Sequence, residues 1–163
     1  MSARPELPLL PDVERLVANF LRESPRVSAL VDERVYTVFP SKAGTDPLLL
    51  VQRVGGAPPF SQPLIADAGQ LQVDAYGGPK QVASELAATA RATLTELEDA
   101  VRPEGVVSAV RFGALRWQPD ETYSTPRPRF LFDVTLTVRA AVSPAERLTE
   151  RAPLVPGVAL TSS

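Results

Sequence analysis

The stretch that constrains the fold most is residues 70–97, QLQVDAYGGPKQVASELAATARATLTEL. Leu71, Val73 and Ala75 alternate with Gln70, Gln72, Asp74 and Tyr76, the period of a strand with one buried face. Gly77-Gly78 breaks that strand, and Pro79 suits a first helical turn, where its missing N–H is not needed. Val82, Leu86, Ala90, Leu94, Leu97 and Val101 then recur along one stripe and predict a helix over Lys80–Val101. Both buried faces must be covered, so a sheet layer and a helix layer follow directly. Many enzymes hold phosphates or nucleophiles at such a junction, but this one carries no catalytic side chain. Gly77-Gly78-Pro79-Lys80 lacks the Walker spacing and the three glycines of the dinucleotide fingerprint. Pro79 also removes a backbone donor from any phosphate cradle there. The junction reads as scaffold.

Proline positions mark the remaining boundaries, because proline continues neither a helix nor a central ladder. Pro5, Pro8 and Pro11 set off a loose arm over residues 1–11. Asp12 is the expected N-cap of a helix to Glu23, with Val13, Leu16, Val17, Phe20 and Leu21 as its buried stripe. Pro25 ends it, and Arg26–Leu30 is expected to add one short helical turn. Strands are expected at Arg34–Phe39, Leu48–Val54 and in the segment before Gly77. The span Gly55–Gly69, with Pro58, Pro59 and Pro63, reads as a long loop. After Pro103 and Gly105 a strand is expected from Val106 to Trp117, bulged at Gly113. Phe130, Phe132, Val134, Leu136 and Val138 then alternate through Arg129–Ala140, and these last two strands are expected to form a long hairpin. Residues 142–163 have little periodicity and read as a weakly ordered tail.

The expected fold is therefore α+β. It is a single domain over residues 12–141, a mostly antiparallel sheet of about five strands with two main helices on one face, in the order α-β-β-β-α-β-β. A chain of 163 residues can bury such a core without staples.

Composition removes several functions. With no cysteine and no histidine, thiolate metal sites, disulfides and the commonest general base are unavailable. No cofactor is expected. A net charge of −2 disfavours a dedicated nucleic-acid binder. No apolar run is long enough to span a membrane, and the first residues lack the pattern of a signal peptide, so cytoplasmic synthesis is expected.

Three constellations remain. Asp74 and Asp133 sit mid-strand opposite the apolar positions; carboxylate pairs do acid–base work or hold Mg²⁺, but solvent-facing or ion-paired residues on an outer sheet face fit better, and with both pointing outward that face could instead carry a subunit contact. Arg111, Arg116, Arg127 and Arg129 lie near Trp117, Tyr123 and Phe130 in the last hairpin. That mix occurs in single-strand nucleic-acid binders, but Asp120, Glu121 and Asp133 interleave with it, and a protein-contact rim or a merely solvated one fits better. Phe60, Leu64 and Ile65 place large apolar side chains in the proline-rich loop, either folded back on the core or offered to a partner. The expected contact residues are thus Phe60, Leu64, Ile65, Arg111, Arg116, Trp117, Tyr123, Arg127 and Arg129.

Taken together, PDVERLVANFLRESPRVSALVDERVYTVFP, LQVDAYGGPKQVASELAATARATL and GVVSAVRFGALRWQPDETYSTPRPRFLFDVTLTV resemble the tail terminator (tail completion) proteins of long, non-contractile-tailed bacteriophages. The three segments cover roughly residues 11–140 in the family's order. The resemblance implies a non-enzymatic virion protein, assembled in the host cytoplasm as a ring, commonly hexameric, at the head-proximal end of the tail. Its implied partners are further copies, the tail tube protein and the head-side connector, with DNA passing through the lumen without sequence-specific binding. Another neck component, such as a head-closure or adaptor protein, is the alternative within this class. A small enzyme using Asp74, Asp133 and Mg²⁺ is the alternative outside it.

Overall fold

The computed structural model describes residues 9–61 and 65–140. Helix α1 (Val13–Glu23) starts where the Asp12 carboxylate accepts a 3.0 Å hydrogen bond from the Arg15 N–H. It buries Val13, Leu16, Val17, Ala18 and Leu21. Pro25 does not only end α1; it is the first residue of α2 (Pro25–Val31), where its fixed φ suits the opening turn.

Strand β1 (Val35–Tyr36) is shorter than the Arg34–Phe39 expected and lies parallel to β2 (Leu48–Ala57). Strand β3 (Ala66–Tyr76) runs antiparallel to β2 and ends at Gly77. A Cβ on Gly77 would lie 2.6 Å from the Ala83 N, so only glycine lets the chain turn this closely over the next helix. Helix α3 (Lys80–Leu94) buries Ala83, Leu86, Ala87, Ala90, Thr93 and Leu94, and a 3₁₀ turn at Thr95–Leu97 closes it. It stops short of the expected end at Val101 because Asp99 adopts φ 61°; Val101 instead opens β4 (Val101–Arg102) and is exposed.

The expected strand Val106–Trp117 is broken into β5 (Gly105–Phe112) and β6 (Arg116–Trp117), with Gly113 at the break. Both pair with β7 (Arg129–Arg139), which gives the long terminal hairpin. Among the described residues the sheet has seven strands in the order β1-β2-β3-β7-β5-β4, with β6 continuing along β7 beyond β5. All pairings except β1–β2 are antiparallel. The protein is an α+β domain, as its sequence pattern predicts, with the short strands β1, β4 and β6 raising the count above five.

The main correction concerns the loop. Residues Gly55–Ala57 and Ala66–Gly69 are paired strand, and the connection shrinks to residues 58–65. A register shift at Val54 absorbs one residue, and Gly56 takes φ +90°. A Cβ on Gly56 would fall 2.0 Å from the Ala68 carbonyl oxygen. Glycine here therefore extends the hairpin through a bulge where its low strand propensity had implied a loop.

The core lies between one sheet face and α1, α2 and α3. Phe132, Val134, Leu136 and Val138 from β7 meet Leu71, Val73 and Ala75 from β3 and the helix stripes there. Tilted contact between Phe112 and Phe132, with ring centroids 6.1 Å apart, carries that core out to β5. The opposite face holds a second, smaller cluster of Leu48, Leu50 and Tyr76, covered by Tyr36, Phe39 and Ala43. Residues 1–8 of the N-terminal arm, Leu64, and the tail 142–163 lie outside the described residues.

Candidate interaction surface

Alternation along β7 sends Arg129, Leu131, Asp133, Thr135, Thr137 and Arg139 to the face away from the helices. Register brings Tyr76 opposite Arg129, Asp74 opposite Leu131, and Gln72 opposite Asp133. At one end of this face the β6–β7 connection, residues 118–128, folds back as a strap. The isolated bridge Asp120–Arg127 shapes it, and the Gln118 N–H donates to the Arg129 carbonyl at 3.0 Å.

Side chains bind the strap to the sheet. The Tyr76 hydroxyl donates to Asp120 Oδ2 at 2.9 Å and accepts from Arg129 Nη1 at 3.2 Å. Arg129 Nε donates to the Gln118 carbonyl at 2.9 Å, and Arg127 Nη2 to the Asp46 carbonyl at 2.7 Å. The Tyr76 ring lies 5.3 Å from the Arg127 guanidinium and 5.7 Å from that of Arg129, while Phe39 packs edge-on at 5.3 Å.

Electrostatics follow from this packing. Burial, then the hydrogen bond to Asp120, pushes the Tyr76 phenol up to about 12. Asp74 is only 3% exposed, and burial raises its pKa despite a hydrogen bond from Gln72 at 2.8 Å and Arg129 at 3.6 Å. Burial also opposes ionisation of Asp120, but hydrogen bonds from Thr122 and Tyr76, with the Arg129 charge, together bring its pKa below the ordinary value. Asp133 faces Arg116 at 3.5 Å. The two carboxylates considered for metal are thus each turned to an arginine. Asp74 is ion-paired but not solvent-facing. Among the described residues no group of three or more acidic side chains is placed to hold a metal.

The predicted contact residues separate into two sets. Arg127 and Arg129 are engaged within the chain, Arg127 being 8% exposed. Tyr123 is partly exposed in the strap. Arg111, Arg116 and Trp117 lie exposed along the β5–β6 edge, with Leu115 beside them. Trp117 packs on Phe130 at 5.0 Å and carries the Lys80 ammonium 4.3 Å from its ring centre. Phe60 is completely exposed and Ile65 half exposed at the hairpin tip, so neither folds back on the core.

The sheet's two edges differ. Beside β2, Glu14 accepts the Arg53 N–H at 2.8 Å, and Arg53 Nε donates to the Gly55 carbonyl at 3.1 Å. At β1, the Val35 carbonyl accepts Arg22 Nη2 at 2.7 Å. On β5, the Val107 N–H reaches the Ala100 carbonyl at 2.9 Å and Arg91 caps the Gly113 carbonyl at 2.7 Å. Between Ser108 and Phe112 no described strand pairs with the outer edge of β5.

Sequence reasoning did not find the Arg53–Asp67 ion pair, a two-pronged contact with one bond at 3.1 Å that buries Asp67 beneath α1. Its acceptor lay inside the span read as a loop. Once β3 begins at Ala66, alternation puts Asp67 with Gly69 and Leu71 on the helix face.

The fold that carries this surface is an α+β domain. No protein-family model matches the chain, and no curated protein matches it by sequence. Among solved structures it is similar to a chain of the virion of a native gene transfer agent (GTA) particle. The TM-score is 0.54 at 18% identity, over 78% of this chain and 95% of that one. The likeness is one of fold.

Proposed function

We propose that the protein is a virion structural component, and within that class a tail terminator. Copies form a ring, hexameric by the family resemblance, on the head-proximal end of the tail tube. The ring stops tube polymerisation and offers the attachment surface for the head-side connector, while DNA passes through it. The observation that carries this reading is the fold likeness to a virion chain over 95% of that chain's length. The sequence resemblance across residues 11–140 narrows it from virion component to terminator.

The distribution of exposed groups supports a subunit that works through contacts. The open β5 edge, with Leu115 and Trp117 beyond it, and the apolar tip with Phe60 and Ile65 lie at opposite extremes of the sheet. A head-to-tail contact between two different surfaces is what closes a ring. Aromatic and arginine side chains are the types that anchor such contacts.

Deleting the gene tests the reading. Overlong tails, or tails without heads, are expected under electron microscopy, with rings of the purified protein seen by mass photometry at high concentration or on tubes. Tails of normal length still joined to heads would refute it.

A further inference from the structure

The outer sheet face beyond the strap is uncovered by any described residue, and its chemistry is unlike that of the edges. Register sets Gln52 beside Gln72 and Asp133 on β2, β3 and β7, and Gln70 beside Thr135 and Arg111 on β3, β7 and β5. Thr137 and Arg139 extend the same face. It presents amides, hydroxyls and guanidiniums across Gln52, Gln70, Gln72, Thr135 and Thr137, with Val106 and the exposed Val101 beside Arg139 at its β4 corner. A protein-binding patch needs an apolar core, and here the exposed aromatic groups, Phe60 and Trp117, lie instead at the tip and the edge.

Charge on this face has one sign to spare. Asp133 is matched by Arg116 at 3.5 Å, and the buried Asp74 by Arg129 at 3.6 Å. Arg111 and Arg139 are exposed and have no carboxylate within 4 Å among the described residues. The chain's net charge of −2 therefore hides a locally cationic surface. Guanidiniums flanked by amide and hydroxyl donors suit phosphate oxygens, which are contacted without regard to sequence.

We propose that this face is the surface that meets the sugar–phosphate backbone of duplex DNA, through Arg111 and Arg139, with Gln70, Gln72, Thr135 and Thr137 as neutral donors between them. The inference rests on the ring reading for the presence of the duplex and for the face lining the lumen; the contact itself rests on the sheet face. Few cations per copy make each contact weak, and repetition around a ring makes the sum appreciable while the duplex can still slide.

Fluorescence anisotropy with a labelled 30-bp duplex and the full-length protein tests it, with mass photometry run in parallel. Binding should fall steeply with salt. Replacing both residues (Arg111→Gln with Arg139→Gln) should weaken binding roughly tenfold or more at low salt. The logarithmic salt slope should drop by about 1.8 per copy in contact, since each phosphate contact contributes about 0.9. Arg15→Gln, an exposed cation on α1, should leave binding unchanged. Rings that bind the duplex equally with and without the double replacement overturn the inference and leave the tail reading standing. A protein that stays monomeric yet loses duplex binding in the double variant supports the face and counts against the ring. Displacement of the duplex by poly-glutamate at equal charge concentration would make the partner an acidic protein and overturn the assignment to DNA.

Discussion

Replacing Tyr76 by Phe isolates one hydroxyl at the centre of the strap. The ring stays, so its contact with Phe39 at 5.3 Å and its place between the Arg127 and Arg129 guanidiniums are kept. What is lost is the 2.9 Å bond donated to Asp120 and the 3.2 Å bond accepted from Arg129. Hydrogen bonds to charged groups are worth about 1.5–3 kcal/mol each. The sum overstates the cost, because both charged groups keep other partners. Asp120 still accepts from the Thr122 N–H at 3.0 Å and its hydroxyl at 2.6 Å, and Arg129 still donates to Gln118. Water also reaches Asp120. A net loss of about 2 kcal/mol is expected, a fall in Tm of roughly 4–8 °C. Spectrophotometric titration gives a second readout. The chain has three tyrosines, and the one titrating at about 12 should vanish in the variant. The folded phenol keeps its proton where the unfolded one, near its ordinary value of about 10, has lost it. Stability is therefore lost as pH rises from the unfolded value through the folded one, and Phe removes that alkaline slope. A Tm within 1 °C of the parent's, with the late-titrating tyrosine still present, would refute the assignment of Tyr76 as the tie between strap and sheet.

Three further changes probe separate parts of the argument. Asp74→Asn should be neutral or stabilising by up to about 1 kcal/mol at pH 7, since burial disfavours the ionised form. Its raised folded pKa means the parent gains stability as pH falls through that value; urea melts across the acid range should show this gain in the parent and not in the variant, and a loss above about 1 kcal/mol at pH 7 would contradict it. Gly56→Ala places a Cβ 2.0 Å from the Ala68 carbonyl oxygen at φ +90° and should cost more than about 2 kcal/mol by urea denaturation; a smaller loss would mean the bulge relaxes easily. Trp117 is the chain's single tryptophan and is 41% exposed, so its emission should shift to the blue as copies associate; rings forming with unchanged emission would remove Trp117 from the contact.

The layers were legible because period alone fixes them. Leu71, Val73 and Ala75 against Leu86, Ala90 and Leu94 require a sheet with a helix on it, and the structure packs those residues together. Asp12 capping and the break after Gly77 were equally local. Errors arose where a residue's usual preference opposed its setting. Gly55 and Gly56 look like loop but extend a hairpin through a bulge, and Val101 has helical spacing but follows a left-handed Asp99. Neither position carries a local signal strong enough to outvote the pattern.

The contact residues expose a different limit, and it bears on function. Arg111, Arg116, Arg127 and Arg129 looked equivalent as cations in one hairpin. Register divides them: Arg129 stands opposite Tyr76 and is drawn to Gln118 and Asp74, while Arg111 stands opposite Thr135 with no described carboxylate within 4 Å. Arg127 turns inward because Asp46 and Tyr76 come from strands and turns distant in sequence. Only long-range pairing decides which cations are structural and which remain available, so no local pattern could have sorted them. Among the described residues, the sorting leaves the exposed aromatic groups at the edge and tip and leaves Arg111 and Arg139, without a carboxylate partner, on the open face. In the ring proposed above, that separation would divide the work, with apolar groups holding neighbouring copies and the polar, cationic face left to the duplex.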